Sequence, residues 1–136
     1  QMCIRDRFWG TFDMTTVLFS GKPCPFERTA SIVERVAFDE QFVEFGFWPG
    51  DDATNDPSFF VLAYPFVEKG SSSDANVDEA FFDAESSEYF LRLKDALRYD
   101  DPQAAVRRFC SSTFARIMER QNWERRDWFT EPLLNG

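Results

Sequence analysis

The sequence predicts an α+β fold, a mainly antiparallel, aromatic-rich sheet packed on a long C-terminal helix. Three observations carry that expectation. Of the 136 residues, 43% are hydrophobic and 18% aromatic, with phenylalanine supplying 17 positions; a chain this apolar builds a packed core. Short runs of β-branched and aromatic residues are joined by hairpin-scale connections, not by the long crossovers of a parallel sheet. One segment near the C-terminus, opened by Asp101, repeats apolar residues at three- and four-residue steps, the period of an amphipathic helix.

Taken in order, the first seven residues stand apart. Met2-Cys3-Ile4-Arg5-Asp6 is what ATG TGT ATA AGA GAC encodes, and the codons of Gln1 and Arg7 extend it to AGATGTGTATAAGAGACAG, which resembles a transposase adaptor. Residues 1–7 are therefore expected to be a non-native, adaptor-derived segment and are set aside from fold reasoning. Residues 8–136 then form a single α+β domain or the C-terminal half of one, with a sheet expected to be incomplete. Residues 8–19 read as a strand. Alternation places Phe8, Phe12, Met14 and Leu18 on one face, against Trp9, Thr11, Asp13, Thr15 and Val17 on the other. Ser20-Gly21-Lys22-Pro23 is expected to break it.

Residues 31–38 alternate as a strand covered on one side. Asp39 can cap a short helix with Val43 at N4 and Gly46 at C′, although Phe38, Phe42 and Glu44 also fit a period of two. Gly46-Phe47-Trp48-Pro49-Gly50 reads as a rigid aromatic turn and residues 51–57 as polar loop. Residues 58–65 are a nearly continuous apolar run, the best strand in the chain and central in the sheet. Residues 70–78 are loop and 88–93 one more strand. In the C-terminal helix Asp101 caps, Pro102 occupies N1, and Ala105, Val106, Phe109, Cys110, Thr113, Phe114, Ile117 and Met118 form the apolar face to about residue 121.

The net charge of −9 disfavours nucleic acid or an anionic membrane surface as partner, and no apolar run approaches the roughly 18 residues of a membrane span. With no histidine, Ser-His-Asp, Cys-His and His-zinc sites are excluded from this segment. Cys24 and Cys110 form no CxxC motif or disulfide framework, which fits a reducing, cytoplasmic setting. Asp74-x-Asn76-x-Asp78 with Glu85 at the twelfth place imitates a calcium loop, but Glu79 stands where glycine must turn the chain. No metal and no cofactor is expected. Residues 37–88 hold thirteen acidic side chains and one lysine, residues 103–126 six arginines and two glutamates, so the arginine face of the helix is expected to lie against acidic loops or in solvent. Trp9, Phe12, Phe47, Trp48, Tyr64 and Phe82 are candidates to line a pocket in which Asp13, Lys22 and Arg92 supply polar contacts; an ordinary aromatic core is the plainer alternative.

Trp9-Gly10-Thr11-Phe12-Asp13, Phe19-Ser20-Gly21-Lys22, Gly46-Phe47-Trp48-Pro49-Gly50 and Ala63-Tyr64-Pro65, in that order and spacing, resemble a bacterial family, the domain of unknown function family 5996. The likeness spans about residues 8–128. It implies the C-terminal half of a longer protein, in keeping with a truncated metagenomic reading frame whose missing N-terminal half would be a partner of this one. Lys22 stands where the family usually has arginine. The resemblance implies architecture and candidate positions but no reaction.

Three functions stay open on the sequence. The first is a cytoplasmic domain binding a small molecule in a pocket lined by Trp9, Trp48 and Tyr64 and polarised by Asp13. The second is an enzyme completed by the absent half, with Asp13 as acid/base or orienting carboxylate. The third is a purely structural half-domain. Asp13, a carboxylate on a semi-apolar face, is expected beside a basic or amide partner in a depression involving Trp9 and Trp48.

Overall fold

A computed structural model describes residues 3–8, 13–25, 39–50 and 56–124, with the backbone alone for 3–8 and 13. The β-branched and aromatic runs pair as six strands, β1 (Cys3–Phe8), β2 (Asp13–Pro23), β3 (Glu40–Trp48), β4 (Ser58–Tyr64), β5 (Phe81–Asp83) and β6 (Glu88–Arg92). They form one sheet in the order β1-β2-β3-β4-β6-β5, every pair antiparallel. Two helices follow, the single turn α1 (Leu93–Ala96) and the 19-residue α2 (Pro102–Arg120). The fold is the α+β architecture expected, with β4 inside the sheet and the long helix last.

Several boundaries differ from the sequence expectation. In place of one strand over residues 8–19, β1 ends at Phe8, which pairs with Asp13 at the start of β2. The set-aside N-terminal segment thus holds a strand, since ladder pairing is made by backbone and demands little of side chains. Residues 20–23 do not end β2. The register slips between Phe19 and Pro23, and Gly21 at φ 81° takes the left-handed conformation that such an irregularity needs. The helix proposed from Asp39 is instead β3: with β2 and β4 on either side, the period-two pattern of Phe42 and Glu44 prevails over a local cap. Gly46, Phe47 and Trp48 belong to that strand, and the turn starts only at Pro49, with Gly50 at φ 91°. The strand expected over residues 31–38 lies outside the described residues.

The sequence signals at α2 are realised. Asp101 Oδ1 accepts from the Ala104 amide at 3.0 Å, and Pro102 occupies the first turn. Its apolar face, Phe109, Phe114, Ile117 and Met118, is buried against Val43, Val61, Ala63, Tyr89 and Leu91 of the sheet. Phe114 meets Phe45 and Trp123 edge-on, at 5.5 and 5.4 Å between ring centroids. Thr113 sits fully buried in this face because its hydroxyl donates to the Phe109 carbonyl at 2.7 Å.

A polar tie centred on Asp74 crosses the helix–sheet interface. A short 3-10 turn at Ser72–Asp74 is closed by a capping box with Ser71. There Asp74, only 8% exposed, accepts from the Ser71 amide (2.9 Å), the Tyr89 hydroxyl (2.6 Å) and Nη2 of Arg120 (3.1 Å), while Nη1 of Arg120 lies 2.9 Å from Oδ2 as an ion pair and donates to the Tyr89 hydroxyl at 3.1 Å. The attraction between acidic loop and helix arginines expected from the charge distribution is made here. Burial pushes the Asp74 carboxyl up, but the bonds from Tyr89 and Ser71 and the Arg120 charge outweigh it and hold it below its ordinary value. Burial, then the bond to Asp74, raises Tyr89 above the ordinary phenol value.

Because Asp74 titrates lower in the folded than in the unfolded chain, its contribution is present above the unfolded value of 3.8 and disappears as pH falls through the folded value. Asp74→Asn is expected to cost about 1–3 kcal/mol at neutral pH and to flatten the acid limb of the stability curve, read by urea unfolding over a pH series. Phe109→Ala, which empties the centre of the α2 interface, is expected to cost about 3–5 kcal/mol at every pH in that series.

Candidate functional site

Alternation along the central strands assigns each side chain to a face. Phe59, Val61 and Ala63 of β4 and Tyr89 and Leu91 of β6 turn to α2 and its surrounding core. Ser58, Phe60 and Leu62, with Glu88, Phe90 and Arg92, therefore share the other face. Register then stacks this face into three rows. The first is Trp48–Ser58–Arg92, the second Gly46–Phe60–Phe90–Phe81 and the third Glu44–Leu62–Glu88–Asp83. Over these rows lies a cavity of about 510 Å³. Trp48 and Arg92 line it from the first row, Phe60, Phe90 and Phe81 from the second, Glu88 and Asp83 from the third, and Asp56 adds a carboxylate ahead of β4.

The aromatic row depends on a missing side chain. A Cβ at Gly46 would fall 2.6 Å from Phe60 Cε1 and 2.8 Å from the Met14 carbonyl oxygen, so only glycine lets the Phe60 ring lie down on β3. Phe81 and Phe90 stack at 5.6 Å with 29° between their planes.

From the first row, the Arg92 guanidinium reaches over the Phe81 ring, 4.9 Å from its centroid, a cation–π contact that restrains the side chain. Its Nε is 3.8 Å from Asp56, which Lys94 holds more closely at 3.0 Å. Neither terminal nitrogen of Arg92 is hydrogen-bonded to a described residue. At the third-row end, the β5–β6 turn clamps Asp83: Oδ1 accepts from the Glu85 amide at 3.0 Å and Oδ2 from the Ser86 hydroxyl at 3.2 Å. The trough is basic at one end, aromatic through its middle and acidic at the other.

Residues 2–129 match the family of unknown function DUF5996, nearly the whole chain. The chain belongs to this family. No curated protein and no solved structure matches it. Of the DUF5996 motifs seen in the sequence, Gly46-Phe47-Trp48-Pro49-Gly50 closes β3 and provides Gly46 and Trp48 to the trough, while Gly21 stands in the β2 irregularity and Ala63-Tyr64-Pro65 ends β4 away from the cavity.

Among the residues singled out in this DUF5996 sequence, Trp48 and Arg92 meet at the trough. Tyr64 shares its face of the sheet but lies three rows along, buried and stacked on Phe42 at 5.6 Å. Lys22 is exposed at the far end of β2. Phe47 and Phe82 lie on the opposite face, Phe47 against Phe59 and Phe82 against Tyr89, since neighbours in a strand cannot share a side with Trp48 or Phe81. Trp9, Phe12 and the Asp13 side chain lie outside the described residues. Sequence reasoning missed Asp56, Phe60, Phe81, Asp83, Glu88 and Phe90. For Phe60 and Phe90 the signal was present, because period two puts them in step with Ser58 and Arg92.

Among the described residues, no group of three His, Cys, Asp or Glu side chains could hold a metal ion. The carboxylate that begins the calcium-loop imitation, Asp74, is occupied by Tyr89 and Arg120. No described helix is long and apolar enough to cross a membrane.

Gly46→Ala would ordinarily be mild or helpful in a strand. Here it is expected to lower stability by about 1–3 kcal/mol through the forced shift of Phe60, a loss read by thermal unfolding. Gly46→Ala combined with Phe60→Leu should recover part of it.

Proposed function

We propose that this domain binds a small organic molecule, without catalysis, in the trough on the sheet face away from α2. The cavity itself carries the proposal: about 510 Å³ falls within the roughly 300–1,000 Å³ of small-molecule sites, which combine apolar walls with a few placed polar groups. Trp48, Phe60, Phe81 and Phe90 supply the walls, and Arg92 and Asp83 the placed charges. The enzymatic alternative rests on Asp13 and on residues beyond this chain, which itself has no histidine. A cytoplasmic location is part of the proposal. Cys24 and Cys110 are both free thiols, and burial pushes Cys110 up to about 12, so it stays protonated and unreactive.

The test is a screen of small aromatic and aliphatic acids, amines and alcohols against ¹⁵N-labelled protein. Shifts are expected to gather on the Trp48 indole and the amides of Phe60, Phe90 and Arg92. Phe90→Ala is expected to weaken the best hit about tenfold, the loss of about 1.4 kcal/mol of contact. Shifts gathered instead at the shallower apolar groove of Phe59, Leu93, Ala96 and Val106, or spread over the surface, would move the site or remove it.

A further inference from the structure

Resting on that binding site, we propose that its ligand is an elongated zwitterion, with a carboxylate seated on Arg92, an apolar body over Phe60 and Phe90, and an ammonium between Asp83 and Glu88. The ordering of the three rows carries this. Arg92 and Glu88 lie four residues apart on one strand face, about 13 Å at ~3.3 Å per residue, and the residue midway between them, Phe90, is aromatic. The two side chains are therefore anchored at opposite ends of an apolar floor, and no ion pair joins them.

Each end matches one ligand group. Arg92 lies over the Phe81 ring with its terminal nitrogens not hydrogen-bonded to any described residue, and a planar guanidinium fork is the natural receptor for a carboxylate. Asp56, the nearest acid, already pairs with Lys94 at 3.0 Å, which lessens its repulsion of an incoming anion. At the other end, Asp83 and Glu88 occupy directly opposed positions on β5 and β6. Both line the cavity, so an ammonium entering at this end meets two carboxylates. The Ser86 hydroxyl and Glu85 amide fix Asp83 in place, so that end is formed before a ligand arrives.

Four probes of one chain length separate the charges: ω-aminooctanoate, octanoate, octylamine and octanol, each titrated into the full chain and followed on the Trp48 indole and Phe90 amide resonances. The zwitterion is expected to bind at least about tenfold more tightly than either singly charged probe. Arg92→Gln is expected to erase its advantage over octylamine, and the double variant Asp83→Asn, Glu88→Gln its advantage over octanoate. Circular dichroism confirms that the variants fold, and the wild-type series decides the matter without them. If ω-aminooctanoate gains nothing over octylamine or octanoate while octanol moves the same resonances, the zwitterion proposal is overturned and small-molecule binding stands. If none of the four moves them, both fall.

Discussion

The burial of α2 on alternate residues of β3, β4 and β6 is the constraint from which the rest of the molecule follows. Phe109, Phe114, Ile117 and Met118 need an apolar surface, and Val43, Val61, Ala63, Tyr89 and Leu91 provide it. A strand has period two, so every residue committed to the helix sends its neighbours to the other face, and a one-residue slip would exchange the two sets. Asp74 reinforces the choice. By joining the 3-10 turn, Tyr89 of β6 and Arg120 in the last turn of α2, it holds helix and sheet in register at the end farthest from the Asp101 cap.

The second face is a consequence of the first. Once Val61 and Leu91 are inside, Phe60, Phe90 and Arg92 cannot be, and antiparallel register sets them in rows with Trp48, Phe81 and Asp83. Gly46 then decides the shape of that surface: with no Cβ there, the Phe60 ring lies down on β3 and becomes a floor. The same alternation that builds the core thus grades the trough from guanidinium to aromatic to carboxylate, and the β5–β6 turn fixes the carboxylate of Asp83.

Legibility in the sequence followed how local each signal is. The α2 helix was readable nearly to the residue, because its cap, its proline and its apolar period all lie within the segment. β4 and β6 were readable from composition. β3 was harder, since Asp39, Val43 and Gly46 satisfy a helix locally and only pairing with β2 and β4 overrides them. β5 and α1, with three and four residues, are too short to show any period. The trough was legible only in part. Trp48 and Arg92 stand out by type, whereas Asp83 and Phe81 reach it through the pairing of a three-residue strand that no pattern reveals. Grouping Phe47 and Phe82 with Trp48 failed because aromatic content was counted without its parity.

The division of the sheet into a sealed face and an open, ligand-sized one is tested most directly by thiol accessibility at two adjacent positions of β6. In a background with the native cysteines replaced, Phe90→Cys and Leu91→Cys are labelled with a small thiol reagent under native conditions. Phe90 is half-buried and lines the cavity, while Leu91 is 0% exposed beneath α2. The account predicts rapid labelling at position 90 and, at 91, labelling only as fast as the protein unfolds. Equal protection at both positions, or faster labelling at 91, would contradict it.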